Sequence, residues 1–347
     1  MSTPMWLDTP AHPVARRAAI GAALATAAAL CLGPALGQPA DAVRGGGAAD
    51  RALVGERFAA LTRESTWTEV ARIPMAFRTF HPQGMVRIGD TLFVSSVEIT
   101  TPTTRFAVPK DGYDRDTGRG VGHLFKIDLR PGRAGTLLAS ATLGEGALYH
   151  PGGIDFDGAS LWVPVAEYRP DSRSLIYTVD PQTLKATVVL RVADHIGGLV
   201  RDTDAGALHG VSWGSRRFYT WPMTAGGIDA AAAERPAVRP NPSHYVDYQD
   251  CHYAGRGAML CGGISDLRAG RSTAPIRLGG LDLVDLGDGR PRHQVPVPLW
   301  TPAGLAMTRN PMWVEAIEGG IRAYFMPEDD ASMLYVYEVT PGAGAAR

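Results

Sequence analysis

Three histidines and a glutamine occupy the same place in a short motif that recurs along the chain. Successive copies of this motif begin with His81, His150, His195 and Gln249. Imidazole nitrogens favour Mn, Fe, Ni or Zn over Ca, and side chains that begin equivalent strands are expected to lie close together. The pattern therefore predicts a divalent metal site with these four residues as ligands, and calcium is the alternative ion.

Acidic residues end most copies of the motif and give the predicted site its acid–base chemistry. Glu98 and Glu167 end the first two copies, which run over eighteen residues each, and we assign them as general bases. The competing interpretation is structural: the histidines cap turns or bind backbone, and the carboxylates are solvated. Asp250 and His252 could also join or replace Gln249 as metal ligands. We expect a further group of side chains to surround the substrate or the metal ligands: Asp250, His252, Asp266, Glu328, Asp329 and Trp213.

The motif itself has the pattern of a strand, a glycine-containing turn and a second strand. A third strand follows each copy and three copies lead into a fourth strand, which is typical of a four-stranded propeller blade. Copies begin near residues 81, 150, 195, 249 and 312, and the last lacks a fourth strand that residues 65–75 supply. We therefore predict an all-β propeller of five blades, closed by an N-terminal strand. Six blades or a β-sandwich array are the alternatives.

Composition excludes several classes of function. The chain has 347 residues with 34 Lys and Arg against 35 Asp and Glu, so its net charge of −1 gives no basis for binding nucleic acid or an anionic membrane. Three cysteines exclude a disulfide-dense scaffold. Cys251 and Cys261 lie directly opposite each other in a predicted hairpin, so we predict a disulfide, with two free thiols as the alternative.

The N-terminal region has the pattern of an export signal. Arg16 and Arg17 precede an uncharged run over residues 18–32, and small residues follow. We predict a signal peptide over residues 1–42, exported by the Sec or Tat route, a linker over 43–64 and one propeller domain over 65–342. An uncleaved anchor is the alternative. The mature protein is then periplasmic or extracellular, a monomer without an integral membrane segment.

Two stretches of the chain carry a resemblance to known proteins. The segments HPGGIDFDG from residue 150 and QDCHYAGRGAMLCGG from residue 249 resemble a family of exported bacterial β-propeller proteins of unknown function. The chain is more distantly similar to the strictosidine-synthase and gluconolactonase propellers, which hold calcium with Glu, Asn and Asp. Histidines at the equivalent openings depart from that pattern. Three His and a Gln are similar to the metal set of oligogalacturonate lyases, which implies the same four ligands here.

Together these patterns predict an exported propeller with a site at the mouth of its channel. We expect a metal-dependent hydrolase or lyase that acts on a small carbohydrate-derived or lactone substrate. The alternative is a non-catalytic propeller that binds a ligand or a protein on the same face.

Overall fold

The computed structural model describes residues 48–268 and 276–342. The predicted signal peptide over residues 1–42 and the first part of the predicted linker lie outside these ranges. Within them the chain begins with helix α1 (Ala48–Ala59) and strand β1 (Thr66–Pro74), and five antiparallel sheets follow one another around a ring. The predicted five-bladed propeller is confirmed.

Each blade consists of four main strands that run from the channel outward. Blade 1 contains β2 (His81–Ile88), β3 (Thr91–Thr101), β6 (Arg119–Asp128) and β7 (Thr136–Leu143), with a separate hairpin of β4 (Arg105–Lys110) and β5 (Tyr113–Arg115) inserted between β3 and β6. Blade 2 contains an inner strand in two pieces, β8 (Leu148–Pro151) and β9 (Asp155–Phe156), then β10 (Leu161–Glu167), β11 (Ser174–Val179) and β12 (Ala186–Val192).

The remaining three blades have the same order. Blade 3 contains β13 (Ile196–Asp202), β14 (Ala207–Ser212), β15 (Arg217–Thr224) and β17 (Ala237–Pro240), with β16 (Gly227–Ile228) and helix α2 (Ala230–Glu234) in a connection. Blade 4 contains β18 (Asp247–Tyr253), β19 (Ala258–Leu267), β20 (Ile276–Asp285) and β21 (Pro291–Val297). Blade 5 contains β22 (Met312–Ile317), β23 (Gly320–Phe325) and β24 (Met333–Thr340), and its fourth strand is β1.

The ring closes by pairing the two ends of the described chain. β1 runs antiparallel to β24, from Thr66 opposite Thr340 to Pro74 opposite Met333. This is the closure that the missing fourth strand predicts. Hydrophobic side chains fill the wedges between neighbouring sheets, as Phe93, Leu161 and Val163 do between blades 1 and 2.

Glycines let the inner strands touch at the channel axis. Gly153 N donates to Gly197 O at 2.8 Å, and Leu199 N donates to Gly153 O at 3.1 Å, so the inner strands of blades 2 and 3 are joined by backbone. A Cβ on Gly84 would lie 2.6 Å from Ile154 N, a distance that no side chain can accept. The inner strands of blades 1, 2 and 3 are therefore in direct backbone contact.

A buried cation lies between two carboxylates at the centre of the ring. His252 Nε2 lies 3.4 Å from Asp250 Oδ2, and its Nδ1 lies 3.8 Å from Asp155 Oδ1. Burial alone lowers the pKa of His252, but the two carboxylates outweigh burial and raise this pKa to about 10. The imidazolium also donates from Nε2 to Met312 O at 2.7 Å, on the inner strand of blade 5.

The same two carboxylates accept hydrogen bonds from the other blades. Asp250 accepts from Met85 N of blade 1 at 2.9 Å. Asp155, itself in blade 2, accepts from Arg201 N of blade 3 at 2.8 Å and from Tyr253 N of blade 4 at 3.2 Å. The set Asp155, Asp250 and His252, called the central charge set below, thus touches the inner strands of all five blades.

The structure differs from the predicted linker, since residues 48–59 form helix α1. Val54, Phe58 and Leu61 follow a helical spacing, and Phe58 and Leu61 are fully buried against blades 4 and 5. His293 of blade 4 donates from Nε2 to Leu61 O at 2.6 Å and fixes the end of the segment. The linker prediction followed the run of glycines and small residues and overlooked this apolar face.

The predicted disulfide is confirmed. Cys251 and Cys261 face each other on β18 and β19, with their Cα atoms 4.1 Å apart and a bond between their sulfurs.

None of the helices in the described part of the chain is long and apolar enough to cross a membrane.

We predict that His252→Phe destabilises the fold because Asp155 and Asp250 lose their shared cation. Loss of one partner from a buried ion pair costs about 3–5 kcal/mol, measurable as a lower free energy of unfolding in urea. His209→Phe is the matched control, because His209 is also buried but binds Thr220 Oγ1 rather than a carboxylate. An equal loss in the two variants would contradict a special role for the central charge set.

The same charge set predicts a loss of stability in alkali. Because the pKa of His252 is raised to about 10 from 6.5, its stabilisation is fully present below pH 6.5 and is lost as the pH rises through 10. Urea unfolding at several pH values should show this decline in the wild type and in His209→Phe, and much less of it in His252→Phe. A His252→Phe variant with the wild-type alkaline slope would refute the assignment.

Candidate functional site

A small cavity opens at the channel mouth, where the inner strands of blades 2, 3 and 4 begin. It has a volume of about 30 Å³, and His150, His195, Gln249 and Trp213 line it. A cavity of this size accommodates an ion or one or two water molecules. The structure thus brings together three of the four predicted metal ligands and two predicted neighbours, Trp213 and Asp250.

His195 is held with one defined nitrogen available. Its Nδ1 lies 2.8 Å from Glu167 O, and a carbonyl only accepts, so Nδ1 carries the proton and Nε2 keeps its lone pair. The Trp213 ring packs edge-on at 4.7 Å between centroids. Burial lowers the pKa of His195 to about 4, so the imidazole is neutral at physiological pH.

His150 is a buried polar side chain at the mouth. It is 4% exposed and stacks on Tyr168 with ring centroids 4.4 Å apart. Neither of its ring nitrogens has a hydrogen-bond partner among the described residues. Burial, followed by the neighbouring His195 and His81, keeps its pKa well below the usual range. Its ring centroid lies 5.9 Å from that of His195, with the ring planes tilted by 54°, so two neutral imidazoles are neighbours at the mouth.

The carboxylate of Asp329 orients the imidazole ring of His81. Its Nδ1 lies 2.7 Å from Asp329 Oδ1, and Arg309 and Asn310 hold the same carboxylate at 3.0 Å and 3.1 Å. Although burial opposes ionisation, His81 and Arg309 hold the pKa of Asp329 well below its usual range. A carboxylate bound to one ring nitrogen fixes the tautomer and leaves the other nitrogen as a donor to a metal.

The two predicted general bases have different surroundings. Glu167 is fully buried, and its oxygens accept from Arg169 Nε at 2.7 Å and Arg173 Nε at 2.9 Å. Its oxygens are occupied by two guanidinium groups and are shielded from solvent, so they are not accessible to a substrate, and the geometry argues against this assignment. Glu98 lies 3.3 Å from His123 Nε2 and keeps part of its surface exposed. Its assignment stays a prediction.

Of the other residues predicted to surround the site, some line the mouth cavity and some lie elsewhere in the fold. Asp250 lines the cavity wall, whereas His252 belongs to the central charge set and binds backbone below the mouth. Asp266 pairs with Arg277 at 3.2 Å, and Glu328 accepts from a tyrosine hydroxyl of β24. Asp266 and Glu328 are not among the described residues that line the mouth cavity.

The insertion over residues 100–120 contributes a residue that motif spacing missed. Arg115, at the end of β5, is fully buried with its guanidinium carbon 5.5 Å from the centre of the Trp213 ring. Arg169 lies over the Tyr113 ring at 3.4 Å. The insertion therefore covers one side of the mouth, and nothing in its sequence singles out Arg115.

The side chains at the mouth do not form a complete metal site within the described residues. No group of three or more His, Cys, Asp or Glu side chains is arranged to hold a metal ion within residues 48–268 and 276–342. The ring centroids of His150 and His195 lie 5.9 Å apart with their planes tilted by 54°, so the two side chains are close enough to bind one ion together. His81 and Gln249 would have to complete the coordination.

A protein-family model matches residues 50–341, almost the whole of the described chain. The chain belongs to this family, a family of unknown function (DUF6454). No curated protein matches the chain.

Solved structures with a similar arrangement are distant in sequence. A luciferin-regenerating enzyme is 13% identical with a TM-score of 0.45, covering 81% of this chain and 96% of its own. The Malassezia sympodialis allergen Mala s 1 is 8% identical with a TM-score of 0.40, covering 84% and 93%. The calcium-binding protein regucalcin from Agrobacterium tumefaciens is 13% identical with a TM-score of 0.38, covering 79% and 96%.

We predict that Glu167 and Glu98 differ sharply when each is changed to Gln. Glu167→Gln leaves two guanidinium groups without their carboxylate and should lower the free energy of unfolding by about 2–3 kcal/mol. Glu98→Gln removes a partly exposed ion pair and should cost less than about 1 kcal/mol. Urea denaturation checks both values, and a fully stable Glu167→Gln variant would contradict the structural role.

Proposed function

We propose that the channel mouth binds a divalent transition metal through His150 and His195, with His81 and Gln249 completing the site. The observation that carries this proposal is the pair of buried, neutral imidazoles that line one cavity with their ring centroids 5.9 Å apart. Neutral imidazole is the form that binds metals, and burial maintains it here.

Hydrogen bonds behind the imidazoles support the same conclusion. His195 is oriented by a backbone carbonyl and His81 by a carboxylate, the two kinds of acceptor that commonly hold metal-bound histidines. The cavity of about 30 Å³ suits an ion with a bound water, and it is too small to enclose a sugar or lactone. An organic substrate would therefore lie above it, against Trp213 and the covering insertion.

We infer a metal-dependent hydrolase or lyase that acts on a small carbohydrate-derived or lactone substrate. A bound metal would supply Lewis-acid polarisation of a substrate oxygen. In this proposal Trp213 provides an apolar wall for the substrate, and Glu98 takes up a proton. The oxidised Cys251–Cys261 pair supports export to an oxidising compartment, where the protein would act as a monomer.

A binding protein without catalysis is the second candidate. The observation that favours it is Glu167, whose carboxylate is fully buried and bound by two arginines. If Glu167 does not act as a general base, the mouth retains the side chains that bind a polar ligand but has fewer groups that could catalyse its conversion.

Metal titration of the untagged, chelator-treated protein tests the proposal. Isothermal titration should show about one Mn, Zn or Ni ion bound per chain and much weaker binding of Ca. His150→Ala combined with His195→Ala should abolish binding, and His209→Ala, which removes a buried histidine of blade 3 outside the mouth, should retain it. Circular dichroism and urea unfolding establish that each variant is folded.

Two outcomes would overturn the metal site. One is the absence of saturable binding by any of these ions to the folded wild type. The other is unchanged binding by the folded double variant. Metal binding without turnover of lactones or uronate-containing sugars would favour the second candidate over an enzyme.

A further inference from the structure

A second cavity lies beneath helix α1, on the side of the central charge set away from the mouth. It has a volume of about 80 Å³ and is enclosed by the first turns of α1, the end of β18 and the inner strand of blade 5. Most of its wall is apolar, formed by the following side chains: Leu53, Val54, Leu260, Trp313 and Val314.

Arg51 and His252 line this cavity, and each has one N–H group without a hydrogen-bond acceptor among the described residues. Arg51 is 7% exposed and donates from Nη2 to Phe156 O, but its Nη1 is buried and lacks a hydrogen-bond partner within the described chain. His252 is 6% exposed, and among the residues of known position none accepts from its Nδ1 within hydrogen-bond distance. Asp155 lies 3.8 Å from that nitrogen.

Neither of the two carboxylates that line the cavity, Glu315 and Asp50, binds these donors, and Asp155 faces His252 Nδ1 at ion-pair distance without a hydrogen bond. Glu315 lines the cavity but already accepts from Arg87 Nη1 at 2.6 Å, Trp313 Nε1 at 3.2 Å and Tyr324 hydroxyl at 3.0 Å. Asp50 lies at the exposed rim. Leaving a buried charged donor unpaired is costly, so the site favours a ligand that brings acceptor oxygens.

We propose that this cavity, called the α1 cavity below, binds a short-chain monocarboxylate. Its carboxylate accepts from Arg51 Nη1 and His252 Nδ1, and its hydrocarbon chain packs against the apolar wall. A planar guanidinium donor matches a carboxylate well, and the small volume limits the chain to a few carbons. The α1 cavity is separate from the mouth, so this proposal does not depend on the metal site.

Saturation-transfer NMR and isothermal titration on the folded protein test the proposal with acetate, propionate and butyrate as probes. We expect saturable binding that strengthens with chain length, and binding of butyramide at least about tenfold weaker because it lacks the charge. Arg51→Gln should weaken butyrate binding by a similar factor. Arg63→Gln is the matched control, since Arg63 is exposed beyond α1 and pairs with Glu64.

A second variant keeps the test decisive if Arg51→Gln weakens the docking of α1. Leu53→Trp at the partly exposed rim fills the cavity without removing a charge, and it should abolish butyrate binding while the protein stays folded. The double variant of His150 and His195 should bind butyrate as the wild type does.

The proposal is overturned by any of three results. These are no saturable binding of the three acids, equal affinity for butyrate and butyramide, or wild-type butyrate affinity in folded Leu53→Trp. Loss of butyrate binding in the double variant of His150 and His195 would instead assign the carboxylate to the mouth.

Discussion

The imidazolium of His252, buried between Asp155 and Asp250, is the interaction on which the arrangement of the blades depends. An ionised group inside a protein is stable only when opposite charges and hydrogen bonds surround it. Here those partners come from the inner strands of all five blades, including Met85 N and Met312 O. Each inner strand must therefore take a fixed height and rotation around the axis, and the start of each strand at the mouth is fixed with it.

The central charge set lies between the cavity at the mouth and the α1 cavity. Backbone contacts at Gly84, Gly153 and Gly197 join neighbouring inner strands, and the Asp250–His252 pair lies between the two cavities. Asp250 lines the cavity at the mouth, and His252 lines the α1 cavity. Chemistry at the mouth is limited to an ion and what lies above it, whereas the α1 cavity is larger and mostly apolar.

Much of the fold followed from the repeat in the sequence, because a propeller blade is a local pattern. The spacing of the motif predicted five blades, the closing strand, the disulfide and a shared mouth for His150, His195 and Gln249. It did not predict Arg169 and Arg173 around Glu167, since side-chain partners depend on how the following loop folds back. The role of His252 was also missed, because its partners lie far apart in sequence and meet only when the ring closes.

X-ray diffraction at the metal absorption edge, from crystals grown with Zn or Mn, tests the metal site most directly. The account predicts an anomalous peak within about 2.3 Å of one ring nitrogen each of His150 and His195, with His81 or Gln249 beside it. An anomalous map without a peak at the mouth, with both imidazoles hydrogen-bonded to protein or water at full metal concentration, would contradict it.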